Sequence, residues 1–525
     1  WLTKMKDALL LSILTDQMMP GNEEPGLLYI LSYIRAKGYT AEIRVYKQSA
    51  INFEEIQRIN PAVIGITTYT MNLDAVLTFS SLLKEKMPQM TLCLGGNGVE
   101  GDPVKLLDSN KAVDFLILGE GESAFEQLLK AFINKDGKLS EIPGLVYRMN
   151  GAAVMNDRND KPISLRTIPW MARDLLRDNQ YEIALISGSR GCTGRCSFCV
   201  TGNIKKRWRG RTPADIVEEI QHVKNTYGIH VFYFIDCSFE NPGESYDRVD
   251  EIVSLMIDAN TYVHYQAFFR SDFHRMATSE IMSKLKRSGL YCTILGVESA
   301  NKDGLKLYNK SASVLDHQRC IDLFRANDIC VELGFIMFQP YTTIECLRDN
   351  IRFLYKNNMA FYFDYIGSRF SQYPNCSLTE KIFRDGLCYE KNNLHGYHFV
   401  HPEIQVLYDY LTAMFNRYSR NYGLNLTHIH TSYISYEYKK RIHADDYNYL
   451  SVLNKYPPIS AKNFLALNES SYRWFESLLD LLESGWQEKE ADRITIQYLP
   501  DTFMLEIMNT IKKSSFFIKK YIFKT

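Results

Sequence analysis

Three cysteines stand at the spacing C-x3-C-x2-C in Gly191-Cys192-Thr193-Gly194-Arg195-Cys196-Ser197-Phe198-Cys199. Three thiolates on one tight loop can hold three irons of a [4Fe–4S] cluster. The fourth iron then has no protein ligand and is open to a substrate or cofactor. Gly191 and Gly194 permit the tight backbone, and the loop amides can bond cluster sulfides. Zinc is the competing reading, although a structural zinc wants a fourth Cys or His nearby and none follows. A third reading is three buried cysteines with no ligand. The chain has eleven cysteines, an odd count, with three clustered and eight scattered. That pattern reads as a reduced, cytosolic protein with one cysteine-based site rather than a disulfide framework.

The elements that position this loop alternate between strand and helix. Strand signals fall at Ile183–Ser187, Val231–Ile235, Val263–Phe269, Cys292–Val297, Cys330–Met337 and Phe363–Ile366, with helices between them. Six βα units predict a partial (β/α)6 barrel over 181–375, whose site lies at the C-terminal strand ends. The clearest helix follows Thr212, with Pro213 at its first position and Asp215 where a capping box needs it. Ahead of the barrel, residues 1–145 carry strands at Ala8–Leu14, Ala41–Tyr46, Ala62–Thr67, Thr91–Leu94 and Phe115–Leu118. Helices are expected at Gly26–Lys37, Leu73–Lys86 and Ser123–Phe132. This alternation predicts a doubly wound, Rossmann-like parallel sheet. The Pro- and Gly-rich stretch 146–180 is expected to be a linker with a small hairpin. Residues 376–525 read as a mostly helical region, with helices at Glu403–Arg417, Glu469–Leu482 and Thr502–Lys512.

Composition sets the outer limits. The 525 residues are 46% hydrophobic and 23% charged, as in a globular protein of two or three domains. Sixty-one basic residues balance sixty-one acidic ones, which argues against extensive nucleic-acid contact. No apolar run approaches the ~18 residues of a membrane span. The apolar start is too weak for a signal peptide, and a chain opening on Trp1 is not expected to show its native first residue.

With its C-x3-C-x-aromatic-C motif, Phe198 included, the chain resembles the radical S-adenosylmethionine (SAM) superfamily. The resemblance implies that Cys192, Cys196 and Cys199 ligate the cluster and that its unique iron chelates SAM. Reduction would then release a 5′-deoxyadenosyl radical. Arg270 and Asp272 look like the family's Arg-x-Asp for the SAM carboxylate and amine. Glu298 resembles the strand-end acid that takes the ribose hydroxyls, and Gln339-Pro340 is a weaker candidate at the same mouth.

A doubly wound domain ahead of such a barrel resembles the cobalamin-binding class of that superfamily, specifically its methyltransferases. The cues are Glu24-Pro25-Gly26-Leu27-Leu28-Tyr29, Gly65-Ile66-Thr67-Thr68-Tyr69, Leu94-Gly95-Gly96 and Leu118-Gly119-Glu120-Gly121-Glu122. Glycines Gly95, Gly96, Gly98, Gly119 and Gly121, with Glu120, would let a corrin approach the backbone. Many cobalamin domains supply a lower-face histidine, but this chain has none before His222. Cobalamin is therefore expected base-off, with no His ligand from this domain, and with Tyr69, Thr70, Met71 or Asn72 near its lower face. No strand-linked G-x-G-x-x-G suggests a dinucleotide instead.

Other features rank lower. His395, His398 and His401 favour packing over a metal. The run Lys205-Lys206-Arg207-Trp208-Arg209-Gly210-Arg211 is as readily a solvated loop as an anion contact. The Lys512–Lys524 tail, with Phe516, Phe517, Tyr521 and Phe523, packs or frays more often than it binds a membrane. Cys237, Cys292, Cys330 and Cys376 near strand ends read as buried packing.

The leading expectation is a cytoplasmic C-methyltransferase acting on a small metabolite or modified peptide through the 5′-deoxyadenosyl radical and methylcobalamin. An external one-electron reductant of flavodoxin or ferredoxin type would drive it. The alternatives are a non-methylating oxidation, cyclisation or rearrangement with the same cofactors, and a non-catalytic iron–sulfur or cobalamin sensor.

Overall fold

The computed structural model describes residues 5–15, 23–158, 162–179, 182–201, 208–242, 245–391, 394–422 and 426–522. Trp1, Lys205, Lys206, Arg207, Phe523 and Lys524 lie outside them, as do the side chains of His395, Phe516, Phe517 and Tyr521.

The first sheet grows from apolar runs that need cover on both faces. Its strands are β1 (Lys6–Leu14), β2 (Ala41–Lys47), β3 (Pro61–Thr67), β4 (Thr91–Gly95), β5 (Phe115–Ile117), β6 (Leu145–Met149) and β7 (Ala152–Met155). They lie in the order β2-β1-β3-β4-β5-β6-β7. The first five are parallel, while β6 and β7 add antiparallel at the edge. Helices Pro25–Ala36 and Gly121–Ile133 cover one face; Phe53–Ile59 and Leu73–Lys86 cover the other. Order 2-1-3-4-5 puts the topological switch between β1 and β3, where doubly wound sheets bind ligands at the carboxyl ends of their strands. The hairpin expected inside a linker belongs to this sheet, so the first domain runs to Met155 rather than 145. Hydrogen bonds from β5 extend the sheet across the expected boundary.

The second sheet is built from β8 (Ile183–Ile186), β11 (Val231–Phe234), β12 (His264–Arg270), β13 (Leu290–Glu298) and β14 (Cys330–Phe335), all parallel, in the order β14-β13-β12-β11-β8. Between the first two, β9 (Ser189–Arg190) and β10 (Arg209–Gly210) pair as a short antiparallel ribbon. The barrel is partial, as expected, but its sixth unit differs: Phe363–Ile366 is a four-residue helix. The sixth position is held instead by a single parallel bridge between Phe338 and Arg369. Four residues, Phe363-Asp364-Tyr365-Ile366, are too few to show a period and fit either state, and packing decides. The cap at Thr212 is one-sided. Its hydroxyl accepts from the Asp215 amide at 3.4 Å, while the Asp215 carboxylate takes Arg211 and Trp170 instead of reaching back.

The C-terminal region is helical apart from the hairpin β15 (Cys388–Lys391) and β16 (Leu394–Tyr397). It shares one continuous apolar core with the barrel. Trp474 of the helix Ala461–Ser484 is fully buried and donates to Thr495 at 3.0 Å. A buried ionic chain joins the two α/β units: Arg173 pairs with Glu23 at 2.7 Å and Glu219 at 2.6 Å, and Arg211 pairs with Glu219 at 2.5 Å.

Candidate functional site

A cavity of about 1370 Å³ lies between the carboxyl edge of the first sheet and the start of the barrel, beyond the ~300–1,000 Å³ usual for small-molecule pockets. Tyr69, Gly95, Gly96, Gly119, Glu120 and Gly121 line one side of it, and Ser189, Arg190 and Gly191 bound the other. A Cβ built on Gly119 would meet nothing within 4 Å, and one on Gly95 only the Ile117 carbonyl at 3.5 Å. These glycines leave bare backbone facing open space, the surface a flat macrocycle needs for close approach. Gly96, at φ +96°, is glycine for a different reason, since a Cβ there would sit 2.5 Å from the Thr68 carbonyl oxygen.

Three expected contacts lie elsewhere. Thr70 is exposed and does not line the cavity. Gly98 is absent from the lining too; a Cβ there would stand 2.9 Å from the Tyr69 carbonyl oxygen, so glycine permits the close approach of the two loops. Asn72 is fully buried, accepting from the Tyr69 amide at 2.6 Å and donating to the Ile13 carbonyl at 2.9 Å. It shapes the loop that presents Tyr69. The Tyr69 hydroxyl donates to Glu24 at 2.9 Å, and Ser12 donates to the other Glu24 oxygen at 2.8 Å. Burial pushes the Glu24 carboxyl up. Glu100 fixes the second glycine loop, accepting from the Gly119 amide at 2.9 Å while pairing with Arg158 at 2.7 Å. Met71 is 73% exposed.

Asp236, just after β11, sets the origin of the cysteine loop. It accepts from the Gly188 amide at 2.7 Å and the Ser189 hydroxyl at 2.5 Å. The ribbon β9–β10 then sends out the loop that carries the three cysteines, none of them in a disulfide. Cys192 Sγ accepts from the Gly194 amide at 3.3 Å and from Asn241 at 3.7 Å. A Cβ on Gly194 would lie 3.4 Å from Cys192 Sγ and 4.0 Å from Cys196 Sγ, so glycine keeps the space between the sulfurs free. The Ser197 amide donates to the Tyr308 carbonyl at 3.0 Å, and Phe198 packs edge-on against Tyr308. Cys192 and Cys196 flank the glycine and Cys199 closes the next turn, its amide donating to the Cys196 carbonyl at 3.2 Å, a donor set that fits a [4Fe–4S] cluster. Among the described residues, no three His, Cys, Asp or Glu side chains converge on a single ion as zinc requires.

The remaining candidates meet at the carboxyl ends of β12 and β13. Arg270 pairs with Asp272 at 2.8 Å, and Ser311 braces both, at 3.1 Å and 3.0 Å. Burial raises the Asp272 carboxyl, but the Arg270 guanidinium outweighs it and holds the group below its ordinary value. The Arg270 amide donates to Glu240 at 2.9 Å, while the second Glu240 oxygen is buried without a partner. Glu298 adopts φ +67° at an irregularity in the β13–β14 register, a strained conformation that turns its carboxylate across Gly296 and Gly334. Burial raises its carboxyl, against the opposing field of Lys310. This pocket fits a zwitterionic, ribose-bearing ligand of the cluster.

Gln339 does not join the site; it closes its own turn, accepting from the Tyr341 amide at 2.7 Å. His398 packs against Tyr389, and His401 lies 3.7 Å from Glu403. Cys237 lines the cavity, whereas Cys292 and Cys376 are buried in packing. Sequence reasoning quoted Glu24 only within a family cue and missed Glu100, Arg190, Glu240 and Asn241. Each is a single polar residue on a loop or element end, and periodicity carries no signal for such positions.

Two family models match the chain: the B12 binding domain over residues 22–129 and the radical SAM superfamily over 186–354. The uncharacterized methyltransferase PH0819 of Pyrococcus horikoshii is 25% identical over 382 residues, covering 70% of this chain and 80% of that protein. The anaerobic magnesium-protoporphyrin IX monomethyl ester cyclase of Synechocystis is 24% identical over 272 residues, covering 51% of this chain and 54% of the cyclase. In fold, the chain is similar to the solved structure of the cobalamin-dependent SAM radical enzyme OxsB with aqua-cobalamin and SAM bound. The TM-score is 0.72 at 16% identity, over 99% of this chain and 80% of that one. With a B12-binding domain set against a radical SAM barrel, the chain belongs to the cobalamin-binding class of the radical SAM superfamily and is a radical SAM enzyme.

Proposed function

We propose that this enzyme transfers a methyl group to an unactivated carbon of a small metabolite or modified peptide. One observation carries the reading: Ser189, Arg190 and Gly191 wall the cavity opposite the Gly119–Gly121 loop and run directly into Cys192. A substrate at that boundary would face both cofactors at once. When bound, the cluster and SAM supply a hydrogen-abstracting radical, and cobalamin supplies a methyl carrier.

The chain's own part is alignment and exclusion of water. Cys192, Cys196 and Cys199 hold three irons and leave the fourth open. Arg270 and Asp272 take the carboxylate and amine of SAM, and Glu298 takes its ribose hydroxyls. Gly95, Gly96, Gly119, Glu120 and Gly121 receive the corrin. Tyr69, steadied by Glu24, would face the corrin from the sheet edge, in a domain with no histidine to offer its cobalt. Electrons come from an external carrier of flavodoxin or ferredoxin type, and the helical region after residue 376 shapes the substrate pocket. The methyltransferase name of the Pyrococcus horikoshii relative supports this reading.

A second reading, radical cyclisation or oxidation without methyl transfer, is favoured by the cyclase relative. The test is to purify the protein without oxygen, load it with cobalamin, and supply reductant and SAM labelled in its methyl group. Methyl transfer requires label on the bound corrinoid and S-adenosylhomocysteine beside 5′-deoxyadenosine. 5′-Deoxyadenosine without S-adenosylhomocysteine would overturn it in favour of the second reading.

A further inference from the structure

Lys310 belongs to none of the candidate sets above, yet it is fixed between two of them. Its segment is fastened to the cysteine loop at three points. The Ser197 amide and hydroxyl donate to the carbonyls of Tyr308, at 3.0 Å, and Leu307, at 2.5 Å. Asn309, at φ +52°, donates to the Arg195 carbonyl at 2.8 Å. On its other side, Lys310 Nζ donates to the Gly296 carbonyl at 2.7 Å and lies 3.9 Å from Glu298.

The surface beneath it is made for that placement. Gly296 and Gly334 are register partners on adjacent strands. A Cβ on Gly296 would stand 3.3 Å from both Lys310 Nζ and the Glu298 carboxylate. A Cβ on Gly334 would stand 3.3 Å from the same carboxylate. The two glycines form a bare floor on which one cation and one anion lie side by side. An ammonium has three donors, and the described residues use one in a hydrogen bond.

We infer that Lys310 is a positioning residue for the cluster–SAM site: its ammonium, held on the Gly296 carbonyl, orients Glu298 and sets a fixed positive charge against the cluster. This rests on the cluster and SAM assignment of the proposed function, though not on methyl transfer. Cluster potentials follow local charge, and a nearby cation favours the reduced state.

The test compares reconstituted wild type, Lys310→Met, Lys310→Arg and Gly296→Ala, each matched for iron and sulfide. Cluster potential is read by an EPR-monitored redox titration, and SAM affinity at equilibrium. Lys310→Met is expected to shift the potential negative and to weaken SAM roughly tenfold, the size of one lost charged contact. Lys310→Arg should restore the potential. Gly296→Ala, which displaces the ammonium but keeps its charge, should weaken SAM with a smaller shift in potential. Wild-type potential and SAM affinity in Lys310→Met would overturn the inference, as would a loss that Arg shares in full, which marks a packing role. A wild type that assembles no cluster sinks both readings. One that assembles it but transfers no methyl sinks only the other.

Discussion

Arg190 and Glu122 are ion-paired at 2.6 Å across the boundary between the two α/β units. Arg190 ends the strand from which the cysteine loop departs, and Glu122 opens the helix that follows Gly119 and Glu120. The same guanidinium lies 3.3 Å from Glu120 and stacks over Tyr29, 4.7 Å from its ring centre. One side chain therefore sets the Gly119–Gly121 loop relative to the start of the cysteine loop.

Arg190→Ala strands the buried Glu122 carboxylate, a loss of the kind that costs about 3–5 kcal/mol, while Glu120 keeps its pairing with Arg209. Corrinoid content of the purified protein should fall about tenfold while iron and sulfide hold. Equal loss of both would instead mark a general folding defect.

The two glycine loops should respond differently to a single methyl group. Gly96→Ala drives a Cβ to 2.5 Å from the Thr68 carbonyl, so thermal stability should drop sharply even without cofactor. Gly119→Ala, at φ +83° but with open space ahead, should cost about 1 kcal/mol in stability and mainly reduce corrinoid uptake. Differential scanning calorimetry of the apoprotein and corrinoid titration separate the two.

Arg173 holds Glu23 of the first domain and Glu219 of the barrel in one buried chain. Arg173→Ala leaves Glu23 buried without its cation, while Glu219 keeps Arg211, and should lower stability by about 3–5 kcal/mol. A double variant, Glu23→Gln with Arg173→Met, removes the stranded charge, leaves the Arg211–Glu219 pair in place and should recover most of it. Chemical denaturation reads both; a single variant as stable as wild type would show that the chain does not join the domains energetically.

His317 is fully buried, and burial pulls its pKa down to about 4 from the ordinary 6.5. The folded ring stays neutral while the unfolded one takes a proton below pH 6.5. Stability should therefore be full above pH 6.5 and fall as pH drops toward 4, by about 3 kcal/mol in total. His317→Leu should flatten that window in urea titrations between pH 7 and 4.

The cysteine loop was legible because ligand identity and spacing are local properties. The parallel sheets were legible because strands covered on both faces must read as apolar runs. Phe363–Ile366 was not, since four residues are too few to tell a helical period from a strand alternation. Nor was the hairpin at Leu145–Met155 readable as part of the sheet, because an edge strand's membership depends on what lies beside it. The candidate site divided in the same way. Cys192, Cys196, Cys199, Arg270, Asp272 and Glu298 sit in short patterns at strand ends, whereas Glu24 reaching Tyr69 and Arg190 reaching Glu122 span 45 and 68 residues of chain. By itself the sequence determined the cysteine spacing and the kinds of element. Only the tertiary structure decided which charges face one another, because the distance between remote side chains is set by how whole layers pack and not by any neighbouring residue.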